Sequence, residues 1–204
     1  MLIREGMERN QSIDIRLACL LGCVAGAMNA AAFFTVGFFS ANMTGNLSTL
    51  SERIASGEYS SASTYLAILL AFILGSTCSS VLIIAGRRKT RKIYAYALVL
   101  EASFIALVGG SDLWANKDWR VSIVVLGLAF AMGFQNAIST LISSARVRTT
   151  HVSGLITDIG IAMSRLVPGA KAASVGEKPL DSANLQLQLV TVFSFLLGGL
   201  IRAA

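Results

Sequence analysis

Apolar positions along this chain fall into long unbroken blocks, not into the alternating pattern of a strand or the stripe of a surface helix. Uncharged runs occupy residues 17–39, 60–86, 121–145 and 182–201. At about 1.5 Å of rise per residue, each is long enough as a helix to cross a hydrocarbon core of roughly 30 Å. A fifth run, residues 93–110, is 18 residues long and broken only by Glu101. Lipid offers backbone groups no hydrogen bonds, so such runs are predicted to be helices. The alternating segments of about 10 residues that mark an outer-membrane barrel are absent. The pattern predicts an all-α, polytopic transmembrane protein, a single membrane domain over residues 1–204 with about five spans.

Two segments fit no ordinary span. Residues 43–54 (MTGNLSTLSERI) and 152–167 (VSGLITDIGIAMSRLV) are short, rich in hydroxyls and contain glycine. Either crosses the membrane or re-enters from one side, and the distribution of basic residues decides between the two. Residues 87–92 hold five positive charges and set the cytoplasmic side. If both short segments are re-entrant, 13 of the 17 Lys and Arg lie inside, and only Arg53, Lys117, Arg120 and Arg202 lie outside. If both cross, the split is 8 to 9, and with one crossing it is 11 to 6 or 10 to 7. The doubly re-entrant arrangement, with a cytoplasmic N-terminus, is the expectation.

The same features occur twice in order. Gly22, Gly26 and Ala30 recur at four-residue spacing, as do Ala129, Gly133 and Ala137, and Asn29 and Asn136 precede the last small residue of each set. Next come Met43-Thr44-Gly45 and Val152-Ser153-Gly154, then Phe72-Ile73-Leu74-Gly75 and Phe195-Leu196-Leu197-Gly198. The copies cover about residues 15–110 and 120–202, and the topology above makes them an inverted repeat with two broken helices. The second copy lacks a counterpart of the 93–110 run. Small residues at every fourth position let helix backbones approach closely. The stripes are therefore expected to bring the two first spans across each other or against the broken helices, or to serve a homodimer interface.

Composition agrees with this picture. The chain has 204 residues, 54% hydrophobic and 14% charged, with mean hydropathy +0.68; soluble domains carry about 25% charged residues. The net charge of +6 does not point to nucleic acid, because Lys and Arg sit at the ends of apolar runs. Cys19, Cys23 and Cys78 lie inside apolar runs and are expected to pack as small hydrophobes. The charged start, Arg4 to Arg16, has no apolar core or cleavage site of a signal peptide, so the first span is expected to be retained.

Phe39 to Thr49 (FSANMTGNLST), Gly133 to Ala137 (GFQNA) and Arg146 to Gly160 (RVRTTHVSGLITDIG) resemble the signatures of the YoaK family, from about residue 17 to 200. The resemblance implies a bacterial inner-membrane protein of unknown function, usually with six helices, the last beyond Ala204. It also implies an acidic residue where this chain has Asn29.

A helix that starts inside the membrane exposes its first N–H groups and the positive end of its dipole. Two such starts facing each other make a site for a small polar or anionic solute. The candidate solute-binding residues are Asn29, Thr44, Gly45, Asn46, Asn136, Thr150, His151, Ser153 and Gly154. Thr44 and Ser153 equally suit simple helix capping. Glu101, at mid-span, and Asp158, in the second broken helix, are candidates for ion or proton coupling. The alternatives are a buried protonated or hydrogen-bonded structural carboxyl for Glu101 and, for Asp158, a charge favourable in the first or second turn of a helix or pairing with Arg165. Arg146 and Arg148 are expected to anchor the cytoplasmic interface. His151 is the only histidine, so neither a metal-ligand pair nor a Ser–His–Asp set can be built on it, and no cofactor, metal or enzymatic activity is expected. The leading expectation is a small-solute permease in which the two copies rock against each other; the rival is a non-transporting assembly or regulatory protein.

Overall fold

The computed structural model describes residues 2, 10–113, 115–164 and 182–203, and all regular structure among them is helical. Among the described residues there are seven α-helices: α1 Gln11–Val36, α2 Met43–Ala55, α3 Tyr59–Arg87, α4 Ile93–Gly109, α5 Lys117–Ser143, α6 Val152–Ser164 and α7 Ser182–Ala203. A 3-10 turn, Ser111–Leu113, precedes α5. Four helices (α1, α3, α5 and α7) are long and apolar enough to cross a membrane. The 17 residues of α4 lie at the short end of the usual range for a span. At 13 residues each, α2 and α6 reach only about 20 Å. Leu20, Leu70, Leu74, Val99, Leu100 and Phe193 are among the large apolar side chains that point outward, as a lipid environment requires. The molecule is a polytopic helical membrane protein.

Cross-links fix the helix directions. Gln11 at the start of α1 donates from Nε2 to Gln186 Oε1 at 2.8 Å, so α1 and α7 begin together and run parallel. Arg87 at the end of α3 reaches the carbonyl of Leu141 near the end of α5, so these two also run parallel. Arg146, just past α5, pairs with Asp14 in the first turn of α1 at 3.0 Å, which sets α1 antiparallel to α5. The face that carries residues 87–92, here the basic face, therefore holds the starts of α1, α4 and α7 and the ends of α3 and α5.

The small-residue stripes do not join α1 to α5, nor do they meet the broken helices. A Cβ on Gly26 would collide with the carbonyl of Phe195 in α7, and one on Gly198 with the carbonyl of Cys23 in α1. In the other pair, Gly133 lies against the carbonyl of Phe72 and Gly75 against that of Phe130. Each stripe thus packs on the second span of the opposite copy, at a crossing too close for any side chain. The four contacts are exchanged by one pseudo-two-fold operation, which takes α1 to α5 and α3 to α7. Because α1 and α5 are antiparallel, the relation is an inversion. The stripes are covered within the chain, so they are not available to a homodimer.

Between these pairs lies the apolar core. Leu17, Leu21, Ile83, Tyr94, Phe134, Ile138 and Ile142 fill the half nearer the basic face, and Met28, Ala32, Val108, Leu128 and Met132 the other. The expectation for the cysteines is only partly met: Cys19 and Cys78 are exposed on the outward surface and Cys23 is partly buried, all as free thiols. The exposed Cys19 and Cys78 point outward, where a small apolar thiol carries no penalty. The loop of residues 168–179 and Arg165 lie outside the described residues.

Candidate functional site

The two short helices start inside the molecule for the same local reasons. Each first span ends on a left-handed residue that reverses the chain: Gly37 (φ 76°) after α1 and Ser144 (φ 51°) after α5. Glycine adopts that conformation freely. Ser144 and the following Ala145 (φ 63°) do not, and a buried serine holds them in place. Ser143 donates from Oγ to the carbonyl of Ser139 at 2.6 Å and accepts from the Val147 N–H at 2.9 Å.

The chain then folds back along its own helix and is tied there by an asparagine. Asn29 Oδ1 accepts the Ala41 N–H at 2.9 Å, and the Asn136 amide donates to Thr150 Oγ1. Both ties fall two residues before the short helix. Asn42 then caps α2, its Oδ1 accepting the Gly45 N–H at 3.0 Å. The corresponding residue before α6 is His151, whose carbonyl accepts the Leu155 N–H at 3.1 Å. A Cβ on Gly45 would overlap the Asn42 side chain, and one on Gly154 the His151 ring, so both glycines clear space for the residue that precedes their helix.

Both helix starts open on one cavity of about 530 Å³ near the middle of the fold. Its lining is made of equivalent pairs: Asn29 and Asn136, Ala41 and Thr150, Asn42 and His151, Met43 and Val152, Thr44 and Ser153, Phe72 and Phe195, with Phe39 in addition. Neither α2 nor α6 carries an acidic residue in its first turn. The positive ends of both dipoles therefore face the cavity without a carboxylate of their own helix to offset them. Such a chamber suits a small anion or a solute with a polar head.

Of the residues singled out from the sequence, Asn29, Thr44, Asn136, Thr150, His151 and Ser153 come together here. Gly45 and Gly154 lie behind the capping side chains. Asn46 is buried on α2 and does not line the cavity; its amide nitrogen has no hydrogen-bond partner among the described residues. Glu101 is elsewhere. It is 4% exposed at an apolar groove between α3, α4 and α5, beside Leu82, Phe104 and Phe134, and neither carboxyl oxygen has a hydrogen-bond partner among the described residues. Asp158 is also outside the cavity. It accepts from Gln188 Nε2 at 3.3 Å and borders a polar recess with Arg146 and Arg148.

Sequence reasoning passed over Asn42, although Asn before a short helix is a recognisable cap signal. It also passed over Ser40 and Thr149, equivalent residues with 0% exposure whose hydroxyls have no partner among the described residues. Phe72 and Phe195 were legible as repeat markers, but not as cavity walls. Among the described residues no three His, Cys, Asp or Glu side chains gather as a metal site.

No curated protein and no solved structure matches this chain. Residues 17–204 match the family described as "Protein of unknown function (DUF1275)", in keeping with the resemblance to YoaK, and the chain belongs to that family.

Proposed function

We propose that the protein is a permease for a small polar or anionic solute, not an enzyme, and that it resides in the bacterial inner membrane with its N-terminus in the cytoplasm. The observation that carries this reading is the single cavity onto which the starts of α2 and α6 both open, with Thr44 and Ser153 exposed to it. The N–H groups of two half-helices replace part of the water shell of a bound anion, and the Asn29 and Asn136 amides hold the turns that aim them.

Alternating access then follows the packing. The crossings weld α1 to α7 and α3 to α5, so the moving bodies are these mixed pairs, not the two sequence copies. α6 travels with α7, and α2 and α4 with α3 and α5.

Purified protein in liposomes is expected to move at least one member of a panel of small anions and polar solutes. Thr44→Val and Ser153→Ala are expected to slow that flux about tenfold or more, the loss of one or two hydrogen bonds to a charged ligand. No flux across the panel, with cellular phenotypes unchanged by Thr44→Val and Asp158→Asn, would end the proposal. Orientation is checked by labelling Arg53→Cys and Lys171→Cys in cells: the first is expected to react from outside and the second only from inside.

A further inference from the structure

The pseudo-two-fold axis that pairs the residues of the cavity also pairs what lies on either side of it, and there the chemistry diverges. Toward the basic face the cavity continues, through Asn136, Thr150 and His151, into a vestibule of about 330 Å³ lined by Ser76, Ser80, Thr140 and Arg148. Toward the opposite face, beyond Asn29, Phe39 and Phe195, lies a separate recess of about 280 Å³ whose other walls include Phe33, Phe34 and Leu196. Arg148 and Phe39 are equivalent: each stands one residue before the buried Thr149 or Ser40, and each borders its own side's opening. The rings of Phe39 and Phe33 stack at 4.6 Å with 10° between their planes. Arg148 forms no ion pair among the described residues and no carboxylate lines its vestibule; Asp158 borders the neighbouring recess, on the other side of Arg148 and His151. The neighbouring Arg146 is held by Asp14 at 3.0 Å, so the guanidinium offered to an incoming ligand is that of Arg148.

We infer that, in this conformation, the cavity is reached from the basic face through a vestibule in which Arg148 selects anions, while its two-fold counterpart Phe39, stacked on Phe33, closes the opposite side. The inference rests on the cavity being the solute site. A fixed positive charge in a narrow polar passage raises the local concentration of an anion and lowers that of a cation. A stacked aromatic pair offers a solvated ion no hydrogen bonds, so it bars the other route.

The test reads access, not transport. In a background with Cys19, Cys23 and Cys78 replaced, Ser153→Cys is exposed to membrane-impermeant thiosulfonates of opposite charge, ethylsulfonate and ethyltrimethylammonium, in inside-out and right-side-out vesicles. Modification by the sulfonate is expected to be about tenfold faster from the basic face than from the opposite face. Arg148→Gln is expected to abolish the preference for the sulfonate without slowing the ammonium reagent, and Arg148→Lys to keep it. Phe39→Ala is expected to open the opposite face. Equal rates from both faces, or an Arg148→Gln change that slows both reagents alike, would overturn the inference. Charge-selective access in a protein that moves no solute in liposomes would leave it standing while removing the permease reading; flux with symmetric, charge-blind access would do the reverse.

Discussion

Gly133 rests against the backbone carbonyl of Phe72, and Gly75 returns the same contact to Phe130 from the other helix. A methyl group at either glycine has no room, and what it meets is backbone, which cannot rotate away. Gly133→Ala and Gly75→Ala are each expected to cost about 1–3 kcal/mol, read as a lower melting temperature in detergent. Because one crossing absorbs both insults, the double variant should lose less than the sum. Fully additive losses would show that the two glycines act independently.

Asn29 and Asn136 set a second expectation. Asn29→Leu strands the Ala41 N–H beside an apolar side chain and should destabilise by about 1–3 kcal/mol. Asn29→Asp keeps the acceptor and should fold. If these amides only touched solute, Asn29→Leu would abolish ligand binding and leave the melting temperature unchanged.

The pair of Asp14 and Arg146 is lopsided: the Asp14 side chain is 1% exposed and that of Arg146 is 39% exposed. Removing the arginine takes one cation from an interior carboxylate, whereas removing the aspartate leaves a guanidinium that water can reach. Arg146→Leu is therefore expected to cost about 2–4 kcal/mol and Asp14→Leu about half as much. Thermal denaturation of the two single variants in the same detergent checks the order, and a larger loss for Asp14→Leu would contradict it.

Glu101 offers the opposite sign. A carboxyl that is nearly buried and hydrogen-bonded to nothing described is a cost the fold carries. Glu101→Leu is expected to raise the melting temperature. If flux falls at the same time, the carboxyl is kept for function; if stability falls instead, Glu101 has a structural partner.

Much of the fold was legible because lipid imposes a narrow grammar. Long apolar runs had to be helices, residues 43–54 and 152–167 stood apart as short, polar segments unlike ordinary spans, and Asn29 and Asn136 stood out as amides in apolar surroundings. The partner of each glycine stripe was not legible. Spacing shows that Gly26 and Gly133 want a close neighbour, but nothing local to them says that Phe195 and Phe72 provide it. The place of Glu101 was not legible for a related reason: a carboxyl at mid-span marks depth along the membrane normal, and gives no direction around the helix. The divergence between Phe39 and Arg148 was present in the aligned copies, yet it acquires meaning only when both are seen to flank one cavity.

The exchange of partners at the crossings also bears on how the protein is made. During synthesis α1 enters the membrane first and α7 last among the described helices, yet the glycine face of α1 fits the backbone of α7. Until that last helix arrives, α1 must wait with its closest-packing surface turned toward lipid or a chaperone. Insertion of the early helices and completion of the fold are therefore separate events, and a ribosome stalled before α7 should leave a chain that is embedded in the bilayer but open to proteases.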